Sequence, residues 1–316
     1  MFSAKSSTQI TEKIHRISGS IYRLGPIGEP NVLSSYLLLD KKISIVDCGP
    51  TAVVDELLSL AAQCGVRASE IDNLLLTHIH IDHAGGAAKF LERCPQALAF
   101  IPERGFKHIV DPSALNISAR KVLGDEIFDY WMPCDPVKAE RARSVKPRER
   151  LDLGKIQVEY VPATGHAPHH NIIVDEADSF IFSADALGIY DSATDLIVPT
   201  TPPPSLDLPQ SLRDIELIEY LNPTVACMSH YEEINPNERF YSSLKNVFSF
   251  WSLAAKSYVI KKKLASYEYA DCANIFAELV KDHPEYSALN GSPREQAIRV
   301  DVAGLLDYFV KHPANA

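Results

Sequence analysis

Cysteine is sparse and unpaired in this 316-residue sequence: Cys48, Cys64, Cys94, Cys134, Cys227 and Cys272 are scattered, with no CxxC pair among them. Disulfide scaffolds are short and cysteine-dense, so these thiols read as reduced and mostly structural. No apolar run reaches the roughly 18 residues that span a bilayer. The opening MFSAKSSTQITEK lacks the apolar stretch of a signal peptide. Positive charge is in deficit: 31 Lys+Arg stand against 41 Asp+Glu, a formal net charge of −10 with histidine neutral. That balance argues against a protein whose main task is gripping a phosphate backbone, though it leaves room for a local basic patch. Short-period repeats and low-complexity segments are also missing. With 46% hydrophobic and 23% charged residues, composition is ordinary for a globular chain. These features predict a cytoplasmic protein with a small-molecule partner, no nucleic acid and no membrane; they allow a homodimer.

Patterning supplies the fold class. Residues 34–39 (SSYLLL) and 43–46 (ISIV) are apolar runs split by Asp40-Lys41-Lys42, a hairpin spacing. Residues 53–64 show helical spacing, with Val54, Leu57, Leu58 and Ala61 on one side and Gly65 as the stop. A short apolar strand at 74–76 runs into Thr77-His78-Ile79-His80, and helical spacing resumes from His83. Residues 105–150 carry several proline breaks and read as an insertion of short helices and loops. Strands return at 156–161, 172–174 and 179–183. A Pro-rich stretch from Pro199 to Pro209 leads to a helix near 211–221 and a strand at 224–228.

After His230 the character changes. Helical periodicity fills roughly 237–264, 268–281 and 293–311, with Ser292 placed to cap a helix opening on Pro293. Two parts are therefore expected: residues 1–235, a mixed α/β domain with the insertion 105–150, and residues 236–316, a helical cap.

The strongest chemical signal is His78-Ile79-His80-Ile81-Asp82-His83, followed by Ala84-Gly85-Gly86. Four metal-capable side chains sit between an apolar strand and a helix, where a loop can turn all of them toward one point. Imidazole with carboxylate suits zinc, iron or manganese rather than calcium. Four ligands do not complete two metal sites, and further candidates stand just past other strands: His166 in Ala163-Thr164-Gly165-His166, Asp185 in Ser183-Ala184-Asp185, and His230 in Met228-Ser229-His230.

The H-x-H-x-D-H cluster, the later Gly-His, the aspartate after a strand and the closing histidine resemble the metallo-β-lactamase-fold hydrolase superfamily, over about residues 14–231. The resemblance implies a four-layer αββα sandwich with two divalent metals, most often zinc, with iron or manganese as alternatives. It puts His78, His80 and His166 on one metal and Asp82, His83 and His230 on the second, with Asp185 bridging. Asp47 matches a strand-end aspartate that supports ligands without being one.

Departures narrow the family. His80 is not the glutamate of flavodiiron oxygen reductases, and Asp185 replaces the cysteine of some β-lactamases. Gly188 occupies the place of a lactonase tyrosine, leaving Tyr190 as a substitute two residues on. Glu103-Arg104-Gly105, Asp111-Pro112, Gly165-His166-Ala167-Pro168-His169-His170 and Asp185-Ala186-Leu187-Gly188 resemble a branch whose helical C-terminal extension covers the metal site, related to lactonases and a quinolone-signalling thioesterase. The implied function is a dinuclear hydrolase using a metal-bridging hydroxide on a small ester, thioester or lactone, with Asp82 and Asp185 orienting it. Two alternatives are kept: a mononuclear iron dioxygenase of persulfide type, and a sensor or interaction protein that retains the site.

Other features have plainer readings. Cys48 and Cys227 fit a core. His169 and His170 read mainly as structural, with a minor claim to ligand support or substrate contact, and His15, His108, His283 and His312 have no site neighbours in sequence. Phe128, Tyr130, Trp131, Phe240, Phe248, Phe250 and Trp251 fit packing individually, while a cap over a metal site would leave some such surface facing substrate.

Overall fold

Alternation decides where the first strands lie. In a computed structural model describing residues 8–28, 33–192, 194–280, 286 and 295–312, eight strands run in chain order across one sheet: β1 Thr8–Thr11, β2 Ile14–Arg16, β3 Ile21–Ile27, β4 Leu33–Leu38, β5 Ser44–Val46, β6 Asn73–Leu75, β7 Leu98–Pro102 and β8 Ala142–Val145. The first five pair antiparallel, and the expected β4–β5 hairpin closes Tyr36 on Val46. From β5 to β8 the pairing is parallel, which requires crossovers. Helices supply them: α1 Val54–Gln63, α2 Ile81–Ala84, α3 Ala87–Arg93, α4 Glu103–Val110, α5 Ser113–Leu123 and α6 Asp125–Trp131.

Successive side chains point to opposite faces of a strand, and here both faces are apolar. Leu37, Ile45, Leu74 and Ala99 pack with Val54, Leu57, Ala61, Phe90 and Ile109 of the helices. Their neighbours Tyr36, Val46, Leu75 and Phe100 pack with Val158, Tyr160, Ile173, Phe182 and Cys227 of a second sheet. That sheet is formed by β9 Arg150–Asp152, β10 Gln157–Pro162, β11 Asn171–Asp175, β12 Phe180–Ala184, β15 Val225–Met228 and β16 Glu233–Ile234. Its only parallel pair among the described strands is β12–β15.

Strand β8 corrects the reading of 105–150 as helices and loops, because Ala142–Val145 closes the first sheet against β7. The segment Ala-Arg-Ser-Val buries only Val145, so no apolar alternation marks it.

The chain groups into two compact units. One comprises residues up to Pro162, His169–Ala184 and Asn222–Pro236, and holds both sheets. The other comprises Ala163–Pro168, Asp185–Leu221 and the chain from Asn237 onward. It contains the hairpin of β13 Ile189–Asp191 and β14 Leu196–Val198, together with α7 Leu208–Leu221, α8 Glu238–Lys262, α9 Cys272–Leu279 and α10 Glu295–Lys311. Asn237 caps α8, its side-chain oxygen accepting from Phe240 N at 3.0 Å, and Lys263 ends it in the left-handed region. The cap expected at Ser292 lies outside the described residues, as does His283.

The tail aromatics pack on one another. Trp251 stacks on Phe276 at 5.3 Å and meets Tyr286 edge-on at 5.6 Å, while Phe250 stacks on Tyr286 at 5.8 Å. Phe240, Phe248 and Phe128 are buried, whereas Tyr130 is exposed. Among the described residues no helix is long and apolar enough to cross a membrane.

Candidate metal centre

Parallel strands end together, and in the first unit their carboxyl ends deliver the chemistry. Asp47 follows β5 in the left-handed region, φ 53°, a conformation that short polar side chains tolerate. Thr77-His78 follows β6, and His80 sits at the start of α2, whose first turn carries Asp82. Gly86 lets the next helix approach the β5 loop, since a Cβ there would lie 2.4 Å from Val54 Cγ2 and 3.0 Å from Gly49 O. The backbone carbonyl of His83 accepts from Cys48 N and Gly49 N, each at 3.0 Å. His230 bridges to Leu33 of β4, beside the 2.5 Å bond that Tyr36 donates to Met228 O.

Hydrogen-bond accounting fixes three imidazole tautomers. Asp47 Oδ1 accepts from Thr77 N at 2.9 Å and its Oδ2 from the Thr77 hydroxyl at 2.7 Å. That hydroxyl has one proton and has given it away, so toward His78 Nδ1, 3.0 Å distant, it can only accept. His83 Nδ1 lies 3.1 Å from Asp47 Oδ2, and His166 Nδ1 lies 3.1 Å from the carbonyl oxygen of Thr200. Each partner accepts, so each Nδ1 carries a proton, which leaves Nε2 as the nitrogen that can serve a metal. Metal-ligating histidines are oriented by such bonds.

Within the first unit, Asp82, His83 and His230 each offer one ligand atom, and these atoms lie within 4.8 Å of one another; His166 and Asp185 come together within the second. His166 Nε2 stands 3.1 Å from Asp185 Oδ2. A lone pair facing a carboxylate oxygen at that separation repels it unless a cation, proton or metal ion, intervenes. His83 Nε2 and His230 Nε2 lie 3.5 and 3.9 Å from Asp82 Oδ2. Asp82 is the more open of the two aspartates, with its side chain 25% exposed against 5% for Asp185, while His78 and His83 are fully buried. Imidazole plus carboxylate matches divalent zinc, iron or manganese.

The remaining sequence candidates also have places. The rings of His169 and His170 lie 6.1 and 4.9 Å from that of His78, and His169 meets His80 edge-on at 5.1 Å. The Tyr190 hydroxyl donates to Asp195 Oδ1 at 2.9 Å within its own hairpin. Cys48 and Cys227 are fully buried, and desolvation pushes both thiols well above their ordinary range. Neither is a thiolate nucleophile. Sequence reasoning missed Thr77, although it stands beside His78, and missed Thr200, whose contribution is a carbonyl.

The family profile described as Metallo-beta-lactamase superfamily matches residues 28–230. The chain belongs to the metallo-beta-lactamase superfamily. Within it, the chain is 27% identical over 217 residues to the metallo-beta-lactamase fold-containing protein ST1585 of Sulfurisphaera tokodaii, covering 67% of this chain and 77% of that one. It is 26% identical over 201 residues to the probable metallo-hydrolase YybB of Bacillus subtilis, covering 64% and 81%. The crystal structure of the metallo-beta-lactamase family protein TTHA1429 from Thermus thermophilus superposes with a TM-score of 0.70 at 19% identity, covering 95% of this chain and 96% of the other. That likeness establishes the metallo-beta-lactamase fold, as the four-layer reading anticipated. A superfamily member with clustered histidines and aspartates has a candidate site for divalent metal, and the superfamily includes metallo-hydrolases.

Proposed function

We propose that this superfamily member is a dinuclear metal-dependent hydrolase of a small ester, thioester or lactone. The observation that carries the reading is that each unit combines buried imidazole with an aspartate, His83 and His230 with Asp82 in the first and His166 with Asp185 in the second. In this reading His78, His80 and His166 hold one ion, Asp82, His83 and His230 hold the other, and Asp185 serves both. Zinc is the proposed metal, with iron and manganese suited to the same donors. Divalent ions bound there would supply Lewis acidity, lowering the pKa of a water toward neutrality and polarising a carbonyl.

The chain's own residues do the rest. Asp82, the most open carboxylate of the set, orients the attacking water by accepting its hydrogen bond. Asp185, nearly buried, places negative charge beside the cations and fixes the second edge of the site. The Nδ1 bonds of His78, His83 and His166 hold their rings against rotation, so geometry is set before substrate arrives. Raised thiols leave no cysteine nucleophile, consistent with attack by water. The name of the Bacillus relative, probable metallo-hydrolase, supports the reaction class. We place the protein in the cytoplasm, with a small-molecule substrate and neither nucleic acid nor membrane as partner.

The test is elemental analysis of protein purified without added metal, followed by a panel of aryl esters, acyl thioesters and lactones before and after chelation. Two metals per chain and turnover that chelation removes and zinc, manganese or iron restores is the expected result. Full metal occupancy with no turnover across the panel overturns it. One iron per chain with substrate-dependent oxygen uptake would transfer the protein to the dioxygenase class.

A further inference from the structure

The two threonines Thr200 and Thr201 join three separate parts of the second unit. The carbonyl of Thr200 takes the Nδ1 proton of His166, and the Thr200 hydroxyl donates to the backbone carbonyl of Asp185 at 2.5 Å. The next residue faces the C-terminal helix. Thr201 N donates to Asp301 Oδ1 at 2.6 Å, and the Thr201 hydroxyl donates to the Asp301 backbone carbonyl at 3.0 Å. One turn further along α10, Gly304 packs so tightly that a Cβ would lie 1.8 Å from Thr201 O. Asp301 is itself buried, 4% exposed.

We propose that Asp301 is a positioning residue for the metal centre, acting from the C-terminal helix through the Thr200–Thr201 strap to hold His166 and Asp185 in ligating geometry. The inference rests on the reading of those two residues as ligands. A peptide unit is rigid, so a bond that fixes the Thr201 amide also fixes the carbonyl of Thr200, which belongs to the same peptide plane. That carbonyl selects the Nδ1-protonated tautomer of His166. The same strap grips Asp185 by its backbone. Gly304 contributes by letting the helix backbone touch the strap, an approach that any side chain would block.

A general helix-packing role for Asp301 predicts lost stability alone; the strap predicts more. Burial, reinforced by the charge of Asp185, pushes the Asp301 carboxyl well above the ordinary carboxylate range, so an amide is a close mimic of it. Asp301→Asn keeps an oxygen to accept from Thr201 N, whereas Asp301→Ala removes it.

Three full-length variants, Asp301→Ala, Asp301→Asn and Gly304→Ala, are compared with the wild type by two readouts. Zinc affinity is measured by chelator competition, and the His166 tautomer by long-range proton–nitrogen NMR on histidine-labelled metal-free protein, assigned with His166→Gln. Asp301→Ala and Gly304→Ala are expected to lose about ten- to a hundredfold in affinity for one of two ions, as loss of a supporting partner does. Both should show a mixed His166 tautomer, with Asp301→Asn close to wild type in both readouts. Wild-type tautomer and affinity in folded Asp301→Ala overturn the proposal, and so does failure of Asp301→Asn to rescue. If Asp301→Ala does not fold, Asp301→Asn and Gly304→Ala carry the same test. Wild-type protein that binds no zinc defeats the hydrolase reading instead, and the tautomer readout still decides the strap.

Discussion

His83 presents its Nδ1 to Asp47 Oδ2 at 3.1 Å, and both side chains are buried to within 1% of full burial. The same carboxylate takes two hydrogen bonds from Thr77, so one aspartate at the end of β5 organises the residues that follow β6. A buried carboxylate is costly without partners and stabilising with them.

Removing that carboxylate should therefore act on stability and metal together. Asp47→Ala leaves Thr77 N, the Thr77 hydroxyl and His83 Nδ1 without their acceptor. The expected cost is about 3 kcal/mol, read by urea denaturation of metal-free protein. Zinc affinity should fall about tenfold or more. A cost under about 1 kcal/mol, the net worth of one ordinary hydrogen bond, would contradict this account.

Thr77 tests the tautomer argument separately. Thr77→Val keeps the shape but deletes the hydroxyl that accepts from His78 and donates to Asp47. It should destabilise the chain by about 1–3 kcal/mol and weaken zinc binding, while Thr77→Ser retains both. Equal behaviour of Val and Ser in chelator competition would show that His78 needs no such orientation.

Within the proposed ligand set, His80→Ala and Asp185→Ala should each lose metal and turnover with the circular dichroism of the wild type. Metal assistance is worth several kcal/mol of barrier, so the expected loss in kcat/KM is about a thousandfold or more. Either variant with near-wild-type turnover and metal content would remove that residue from the site.

A pH prediction lies away from the candidate metal centre. Asp175 ends β11 in the hairpin to β12; its Oδ1 accepts from Ala177 N at 3.1 Å, while Oδ2 is buried with no hydrogen-bond partner among the described residues. Burial raises its pKa, and nearby Asp178 and Asp40 add to the shift. A raised carboxyl means that the folded chain binds the proton more tightly than the unfolded one. Its stabilisation is therefore complete below the unfolded value of about 3.9 and declines as pH rises through the folded value. Asp175→Asn abolishes that decline. The melting-temperature difference, mutant minus wild type, should increase between about pH 4 and about pH 7; a constant difference would refute the assignment.

What could be read from the sequence depended on whether a residue acts through its side chain. Residues 34–39 and 43–46 were legible as paired strands because both faces of β4 and β5 are apolar and Asp40-Lys41-Lys42 leaves room for a turn. His78 to His83 was legible because four metal-capable side chains fall in six positions, and Asp185 and His230 because they follow apolar strands. Strand β8 was not, since it buries one residue at a sheet edge. The Thr200–Thr201 strap was not either. Thr200 acts on His166 through a carbonyl, and Thr201 meets Asp301, a hundred positions away, through an amide. Every residue type carries those groups, so no motif announces them.

The loop after β15 rests on a buried ion pair, which gives the last prediction. Arg23 Nε lies 2.5 Å from Glu233 Oε2, and its Nη1 donates to Gly25 O at 2.9 Å and to Tyr231 O at 2.8 Å. Tyr231 adjoins His230 and is held in the left-handed region, φ 68°, while Ser34 Oγ donates to the same carbonyl at 2.7 Å. Arg23→Met takes the guanidinium from the buried Glu233 carboxylate, leaving it His15 Nδ1 at 3.8 Å, and should cost about 3 kcal/mol. Arg23→Met with Glu233→Met removes both charges and should recover most of that loss. Zinc affinity separates packing from positioning. The double variant still lacks the guanidinium that grips Tyr231 O, so it should regain stability and yet bind zinc more weakly than wild type. Recovery of both quantities would mean that Arg23 serves the core and leaves His230 to be placed by β4 and β15 alone.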